Sequence, residues 1–123
     1  MPTPSAQISI AAGRKYACIK IQGRANFTLS PDFNAAFTRL RERGISYFII
    51  ELGGCALMDS TFLGVLAGAA IELHKQRKVS PNGSLVVTRV GARNLELMRN
   101  LGLHRLLTID PGEGAENQRK CDT

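Results

Sequence analysis

The chain has 123 residues, and this length favours one domain over a two-domain enzyme with its site in an interdomain cleft. Its 44% hydrophobic and 21% charged residues match ordinary globular usage, so the chain as a whole is neither disordered nor fibrous. The longest apolar stretch, residues 62–71, has about half of the roughly 20 residues that a membrane-spanning helix needs. We therefore expect no membrane insertion.

Two further features bear on compartment and ligands. Residues 1–7 carry neither lysine nor arginine and no apolar run, so they do not resemble a secretory signal, and we expect a cytoplasmic protein. The three cysteines fit no close metal-ligand spacing, and the chain lacks the Gly-x-x-x-x-Gly-Lys-Ser/Thr phosphate loop. We predict neither a metal site nor a cofactor.

The net charge of +6 belongs mostly to the part of the chain that is expected to fold. Basic domains often bind nucleic acid or acidic partners. Here the arginines are scattered rather than clustered with aromatic residues, and no helix-turn-helix, zinc-finger or aromatic RNA-reading pattern is present. The charge alone therefore does not favour a nucleic-acid partner.

Hydrophobic periodicity predicts a hairpin followed by a helix. Apolar and polar residues alternate over residues 7–10 and 16–22, and a short link joins the two runs. Ser30-Pro31-Asp32 is typical of a helix start, with the serine as N-cap. The apolar stripe of this helix consists of Phe33, Ala36, Phe37 and Leu40, and Gly44 ends it.

The alternation of strands and helices continues along the chain. The apolar run from Tyr47 to Ile50 predicts a central strand, and a second helix is expected from Asp59 or Ser60 to about Lys78. Its predicted stripe includes Leu63, Leu66, Ala67, Ala70 and Leu73. Gly64 and Gly68 lie four residues apart on one face of this helix, where we expect a close approach to the sheet.

The remaining elements complete the predicted fold class. Residues 84–89 read as a strand, residues 94–100 as a third helix, and residues 106–109 as a short last strand. The result is one α/β domain over residues 8–110, in which helices cover a mixed sheet of about four to five strands with an opening hairpin. We expect an N-terminal extension at residues 1–7 and a flexible tail at residues 111–123.

The segment from Met58 to Gly68 is the most informative one for function. Asp59, Ser60 and Thr61 place an acid and two hydroxyls where a loop becomes a helix. Unpaired backbone N–H groups and a partial positive charge at such a point favour a negative group. The same residue types are also the usual N-caps of helices, so a purely structural role is the alternative.

The sequence from Asp59 to Leu66, Asp-Ser-Thr-x-Leu-Gly-Val-Leu, resembles the STAS domain family, named for sulfate transporters and anti-sigma factor antagonists. The element order over residues 8–110 resembles that family's fold as well. The loop from Gly23 to Asn26 is similar to the family's Gly-x-Leu-Asp loop, which lies beside the phosphorylation site. This chain departs from the family with Phe62 in place of the usual glycine, a bulky group beside the acceptor, and with Asn26 in place of the antagonists' frequent aspartate.

The resemblance implies a protein-binding switch of the anti-sigma factor antagonist type. Ser60 corresponds to the phosphorylated serine, and Thr61 is the alternative acceptor. The partner-binding residues implied are Asn26, Asp59, Ser60, Thr61 and Phe62. The partner implied is an anti-sigma factor, a serine kinase of the histidine-kinase-like ATPase type, with a phosphatase as a further partner and a homodimer left open. A second possibility within the family is a stand-alone subunit of a transporter complex or signalling scaffold, without a phospho-switch.

An enzyme that uses Ser60 as a nucleophile is the rival class. His74 lies 14 residues along the same predicted helix, roughly 21 Å away at 1.5 Å per residue, which is out of reach for a general base. His104 follows the third helix, where a surface or capping role is the more usual one, and there is no Gly-x-Ser-x-Gly elbow. We therefore predict no catalytic residues and no enzymatic activity.

Overall fold

The computed structural model describes residues 6–77 and 84–110, and within them a five-stranded mixed sheet forms the centre. The strands are β1 (Ala6–Ala12), β2 (Tyr16–Ala25), β3 (Tyr47–Met58), β4 (Ser84–Thr88) and β5 (Thr108–Asp110). The helices are α1 (Ser30–Glu42), α2 (Ser60–Arg77) and α3 (Ala92–Asn100), and a short 3-10 helix spans Leu103–Arg105. The strands lie in chain order, β1 and β2 are antiparallel, and the other neighbours are parallel, which confirms the predicted α/β fold. The predicted tail at residues 111–123 lies outside the described residues.

Strands β2 and β3 extend well beyond the runs that periodicity marked. The sequence analysis placed the end of the central strand near Ile50, but β3 continues to Met58. β2 continues beside it to Ala25, with two register shifts on the way, and Ala25 pairs with Met58. Because both strands end at this pair, the loop after β2 and the start of α2 become neighbours.

The hydrophobic core packs α1 and α2 against the sheet, and a row of aromatic rings runs through it. Phe62 on α2 meets Phe33 on α1 edge to face, with 5.5 Å between the ring centroids. Phe33 stacks on Phe37, and the Phe37 ring packs against Phe48 of β3 at 4.6 Å. These contacts confirm the predicted apolar stripe of α1 and fix how α2 lies on the sheet.

The start of α1 differs from the prediction at Ser30. Leu29 is the N-cap, since the N–H of Phe33 donates to its carbonyl at 3.0 Å. Ser30 is the first helical residue, and its buried Oγ has no hydrogen-bond partner among the described residues. The cause is the preceding turn, in which the N–H of Leu29 donates to the carbonyl of Asn26 and brings the chain into helical conformation before Ser30.

Helix α2 buries its predicted stripe, but its two glycines do not face the sheet. The buried members of the stripe are Leu63, Leu66, Ala70 and Leu73, and the half-buried member is Ala67. Gly64 and Gly68 are exposed, and a Cβ added at either one would meet nothing within 4 Å. The expectation of a close glycine contact with the sheet is therefore wrong, because the leucines occupy that side of the helix.

Replacing Gly64 or Gly68 with alanine is expected to raise the free energy of unfolding by about 0.5 to 1 kcal/mol for each site, because glycine is a poor helix former. Urea denaturation of the single variants measures the change. Gly44→Ala is the matched control, since it also has open space but a φ of +95°, and its stability should fall. A loss of stability in Gly64→Ala similar to that of Gly44→Ala would contradict the exposed placement of Gly64.

No helix in the described part of the chain combines the length and the apolar character that crossing a membrane requires.

Candidate functional site

The candidate site lies where β2 and β3 end side by side. Asn26 follows the last residue of β2, and Asp59 follows the last residue of β3. The N–H of Asp59 donates to the carbonyl of Ala25 at 3.1 Å, so the two chain segments stay joined beyond the last paired residues. The sheet therefore brings the loop after β2 next to the start of α2.

The carboxylate of Asp59 ties the loop to the helix. Its Oδ1 accepts the N–H of Phe62 at 2.8 Å, which makes Asp59 the side-chain cap of α2. Its Oδ2 accepts the N–H of Phe27 in the loop after β2 at 3.0 Å. Both oxygens are thus used to hold backbone in place, and Asp59 fixes the position of Ser60 relative to the loop.

Asn26 shapes the same loop from within. Its Oδ1 accepts the N–H of Thr28 at 3.0 Å and the hydroxyl of Thr28 at 2.5 Å. An asparagine side chain that bonds the backbone two residues ahead forms a turn by itself, which is why this residue type favours such positions. Asn26 is half-buried, and the turn leaves the ring of the next residue, Phe27, 65% exposed.

Ser60 and Thr61 are the first two residues of α2, and both are exposed. The positive end of the helix dipole lies at this point, which favours a negative group on either hydroxyl. The hydrogen bonds of Asp59 place these two residues next to the loop that contains Asn26. Their role in binding a partner stays a prediction.

Phe62 is placed differently from the other predicted binding residues. Its side chain is 0% exposed and packs against Phe33 in the core, so the expected bulky group beside Ser60 is absent from the surface. The reason is helical geometry, because two residues after Ser60 the side chain points to the opposite side of α2. We therefore leave Phe62 out of the binding surface.

Two exposed apolar residues lie near the start of α2 and were missed by sequence reasoning. Phe27 is 65% exposed on the loop, and Leu57 is 38% exposed near the end of β3. An apolar residue within a polar turn could have marked Phe27. No periodicity marked Leu57, because residues 48–52 of β3 are all buried and the residues after them follow no regular alternation of buried and exposed positions.

A cleft of about 320 Å³ opens between the end of β3 and α3, next to the start of α2. Leu57, Met58 and Leu97 contribute its apolar part. Asn94 also lines it, is 2% exposed, and donates from Nδ2 to the carbonyl of Cys55 at 3.2 Å. This hydrogen bond anchors α3 to β3 and gives the site a firm wall on that side.

Cys55 is a buried free thiol close to the site. Burial raises the pKa of this thiol, and hydrogen bonds with the backbone of Ala25 and Leu57 oppose the rise without cancelling it. The folded protein therefore keeps the proton at pH values at which an unfolded cysteine, with a pKa of about 8.5, loses it. The stability that the neutral thiol contributes is complete below about pH 8.5 and is lost as pH rises through the higher folded pKa.

We expect the wild type to lose stability above about pH 8.5 more steeply than Cys55→Ala, because the variant lacks the titrating thiol. Urea unfolding of both proteins between neutral and alkaline pH, under reducing conditions, measures the difference. Groups common to both proteins cancel in this comparison. Parallel stability profiles would contradict a raised pKa for Cys55.

Asp59→Ala is expected to lower the free energy of unfolding by about 2 to 3 kcal/mol, because it removes the helix cap and the tie to Phe27 together. Asp59→Asn keeps one acceptor oxygen and should lose about half as much. Asp32→Ala is the control, because it removes an exposed acid from the first turn of α1. Urea denaturation ranks the three variants, and equal losses for Asp59→Ala and Asp32→Ala would show that the two hydrogen bonds contribute nothing.

Among the residues that the structure describes, no three or more His, Cys, Asp or Glu side chains are grouped closely enough to hold a metal ion. The site consists of the exposed hydroxyls of Ser60 and Thr61, the Asp59 carboxylate and Asn26 amide that hold the backbone, and nearby apolar side chains. Such a surface suits contact with another protein.

The comparison with protein families identifies the class of protein. The STAS domain model matches residues 8–115, and the chain belongs to the STAS domain family. This confirms the resemblance drawn from the motif at Asp59 to Leu66.

Solved structures with the same fold include proteins of two kinds. An anti-sigma factor antagonist from Mycobacterium paratuberculosis is 15% identical, with a TM-score of 0.74 and all of both chains covered. The Bacillus cell fate determinant SpoIIAA in its phosphorylated form is 14% identical, with a TM-score of 0.70, covering 95% of this chain and 100% of that one. A sulfate transporter family protein from Wolinella succinogenes is 15% identical, with a TM-score of 0.63 and 88% of each chain covered. At these identities the likeness concerns the fold.

Proposed function

We propose that this chain is a protein-binding switch of the anti-sigma factor antagonist type. The unphosphorylated protein binds an anti-sigma factor, a serine kinase of the histidine-kinase-like ATPase type, and phosphorylation of Ser60 ends this binding. The observation that carries the proposal is the exposed hydroxyl of Ser60 at the first residue of α2. The solved antagonists with the same fold support the choice of partner.

The surroundings of Ser60 fit a surface that another protein covers. Phe27 and Leu57 present apolar area near the start of α2, and apolar residues, aromatic ones above all, are typical centres of binding interfaces. The hydrogen bonds of Asp59 hold the loop and the helix start in a fixed relation before a partner arrives. A preformed surface binds more tightly, because less conformational freedom is lost on association.

A phosphate on Ser60 would be tolerated by the fold but not by the interface. Phosphoserine carries about −1.5 to −2 charges at neutral pH, and a helix N-terminus stabilises such charge by about 0.3 to 1 kcal/mol. The carboxylate of Asp59 repels such a phosphate, and the backbone N–H groups that donate to both of its oxygens offset part of this repulsion. A partner that covers Ser60 with apolar or acidic groups would instead have to desolvate the charge without compensation.

The reaction proposed moves the γ-phosphoryl group of ATP to Oγ of Ser60. ADP leaves, and the hydroxyl proton passes to a base on the kinase. A phosphatase that hydrolyses the phosphoserine restores the binding form.

The test is incubation of the full chain with the cognate anti-sigma kinase and ATP, followed by mass spectrometry of the peptide that contains Ser60. We expect one phosphate on Ser60 and none on this peptide in Ser60→Ala. Phosphate that persists in Ser60→Ala but disappears in Ser60→Ala/Thr61→Ala assigns the acceptor to Thr61 and overturns the assignment to Ser60. Absence of phosphate from the wild type overturns the switch.

The second candidate is a stand-alone STAS subunit of a transporter complex or signalling scaffold, without a phospho-switch. The fold shared with the Wolinella sulfate transporter family protein favours this possibility. Both functions use the same exposed surface at the start of α2. Co-purification from the native cell separates them, because the first predicts an ATP-binding kinase and the second a membrane ATPase or a scaffold component.

A further inference from the structure

Basic side chains collect at the end of the domain opposite Ser60. They come from the turn between β1 and β2, from the last turns of α1 and from the later part of α2. We call this surface the basic face, and its members are Arg14, Lys15, Arg39, Arg41, Arg43 and Lys75. Arg41 is the one half-buried member, and the others are exposed.

Contacts between the elements make this surface continuous. The carbonyl of Lys15 in the turn accepts the N–H groups of Ser46 and Tyr47, just after α1, at 3.2 and 3.1 Å. On the other side of α1, Arg41 lies 3.6 Å from the carboxylate of Glu72 on α2, and Lys75 lies 3.7 Å from the same carboxylate. The turn, the end of α1 and α2 therefore form one surface.

The helix dipole of α1 explains only some of the basic side chains on this surface. Cations at the end of α1 are stabilised by the negative end of its dipole. Arg14 and Lys15 lie on a β-turn, where no helix dipole acts. Glu42 and Glu72 supply the negative charge on these parts of the elements, and Asp32 adds one carboxylate in the adjoining groove, so the six basic side chains outnumber the acidic ones.

An apolar groove adjoins the basic face between β1 and α1. It has a volume of about 310 Å³, and its walls include Ile10, Leu40, Arg39 and Arg43, with Asp32 at the start of the helix. Ile10 is 47% exposed and lines this groove together with Arg39 and Arg43, so aliphatic and cationic surface adjoin each other here. Arg39 and Arg43 are four residues apart on α1, so both reach the same side of the groove.

We propose that the basic face docks on the surface of an anionic phospholipid bilayer. The arginines and lysines contact the headgroup phosphates, and Ile10 with its groove contacts the acyl region just below them. Clustered cations beside an exposed aliphatic side chain are typical of peripheral membrane binding. Single-stranded nucleic acid would call for exposed aromatic side chains to stack on the bases, and the exposed large aromatic residue of the described chain, Phe27, lies at the opposite end.

The orientation leaves the proposed switch accessible. Ser60 and Lys75 are separated by 15 residues of α2, or about 22 Å along the helix axis. This exceeds the Debye length of about 8 Å at physiological ionic strength, so charge at Ser60 and charge on the basic face act independently. A membrane-bound chain therefore presents Ser60 away from the bilayer, and the proposal does not depend on the proposed function.

The test is co-sedimentation of the full chain with vesicles of phosphatidylcholine containing about one third phosphatidylglycerol, an anionic composition. We expect binding at about 0.1 M salt that disappears towards about 1 M salt, as the Debye length shrinks from about 10 to about 3 Å. Arg39→Gln/Arg43→Gln should lower the affinity about tenfold or more, and Ile10→Ala should lower it less. Circular dichroism confirms that the variants are folded.

The matched control is Arg24→Gln/Arg93→Gln, which removes the same charge from exposed positions near the start of α2. This variant should bind vesicles as the wild type does. Equal losses in the two double variants, or equal binding to pure phosphatidylcholine, would overturn the proposal. A gel shift with RNA or DNA at physiological salt that is lost in Arg39→Gln/Arg43→Gln, without vesicle binding, would overturn it in favour of nucleic acid.

Discussion

Ser60→Asp is expected to lower the affinity for the anti-sigma factor by at least about 100-fold, because a buried, uncompensated charge costs several kcal/mol and each 1.4 kcal/mol is tenfold. Ser60→Ala should retain the affinity of the wild type, since it removes a hydroxyl without adding charge. Isothermal titration calorimetry or surface plasmon resonance with the purified partner measures both. The contrast between the two variants isolates charge from the loss of a side-chain contact.

Measuring the stability of Ser60→Asp controls for a loss of affinity that arises from unfolding. A carboxylate in the first turn of α2 is favoured by the helix dipole, so Ser60→Asp should be as stable as the wild type or slightly more so. Ser9→Asp introduces the same charge at an exposed serine of β1, and it should bind the partner normally. Equal affinities of the wild type and Ser60→Asp would show that the partner does not cover Ser60, and the proposed switch would then be wrong.

The sequence was sufficient to predict the strands and helices whose apolar residues follow a simple pattern. The alternation in β1 and β2 predicted the hairpin, and the stripe with Phe33 and Phe37 predicted α1 and its buried side. The apolar run from Tyr47 predicted a strand covered on both faces, and β3 is the middle strand of the sheet. In each case local pattern and tertiary burial favour the same structure.

Prediction from the sequence failed where the local pattern allows several structures and tertiary contacts select one of them. Ser30 has the side chain of an N-cap, but the turn at Asn26 starts α1 one residue earlier. The spacing of Gly64 and Gly68 marked one face of α2 without telling which face meets the sheet. The length of β3 depends on its pairing with the end of β2, which no local pattern contains.

The candidate site was predicted in its location but not in its construction. The motif located Ser60 and Thr61 at a helix start, and the structure places them there. The hydrogen bonds of Asp59 to both Phe62 and Phe27 were not predicted, because no local pattern shows which backbone groups a carboxylate meets across segments 32 residues apart. The exposed apolar residues of the site, Phe27 and Leu57, also lie at the ends of these two strands.

Phe62→Ala is expected to lower the free energy of unfolding by about 3 to 5 kcal/mol, since it empties a fully buried position and removes the edge-to-face contact with Phe33. Phe62→Leu should lose only about 1 to 2 kcal/mol, because most of the buried volume remains. Urea denaturation measures both losses. A glycine at this position, as is usual in the family, would leave the row of aromatic rings in this protein without its α2 member.

Partner affinity of the variants distinguishes whether Phe62 acts in the core or at the interface. Phe62→Leu, which stays folded, should bind the partner with the affinity of the wild type. Phe27→Ala should show the reverse, with unchanged stability and an affinity lower by about tenfold or more, as for an exposed aromatic residue at the centre of an interface. Loss of affinity in Phe62→Leu at full folding would mean that the partner contacts the Phe62 ring after all, and that the helix start rearranges on binding to expose it.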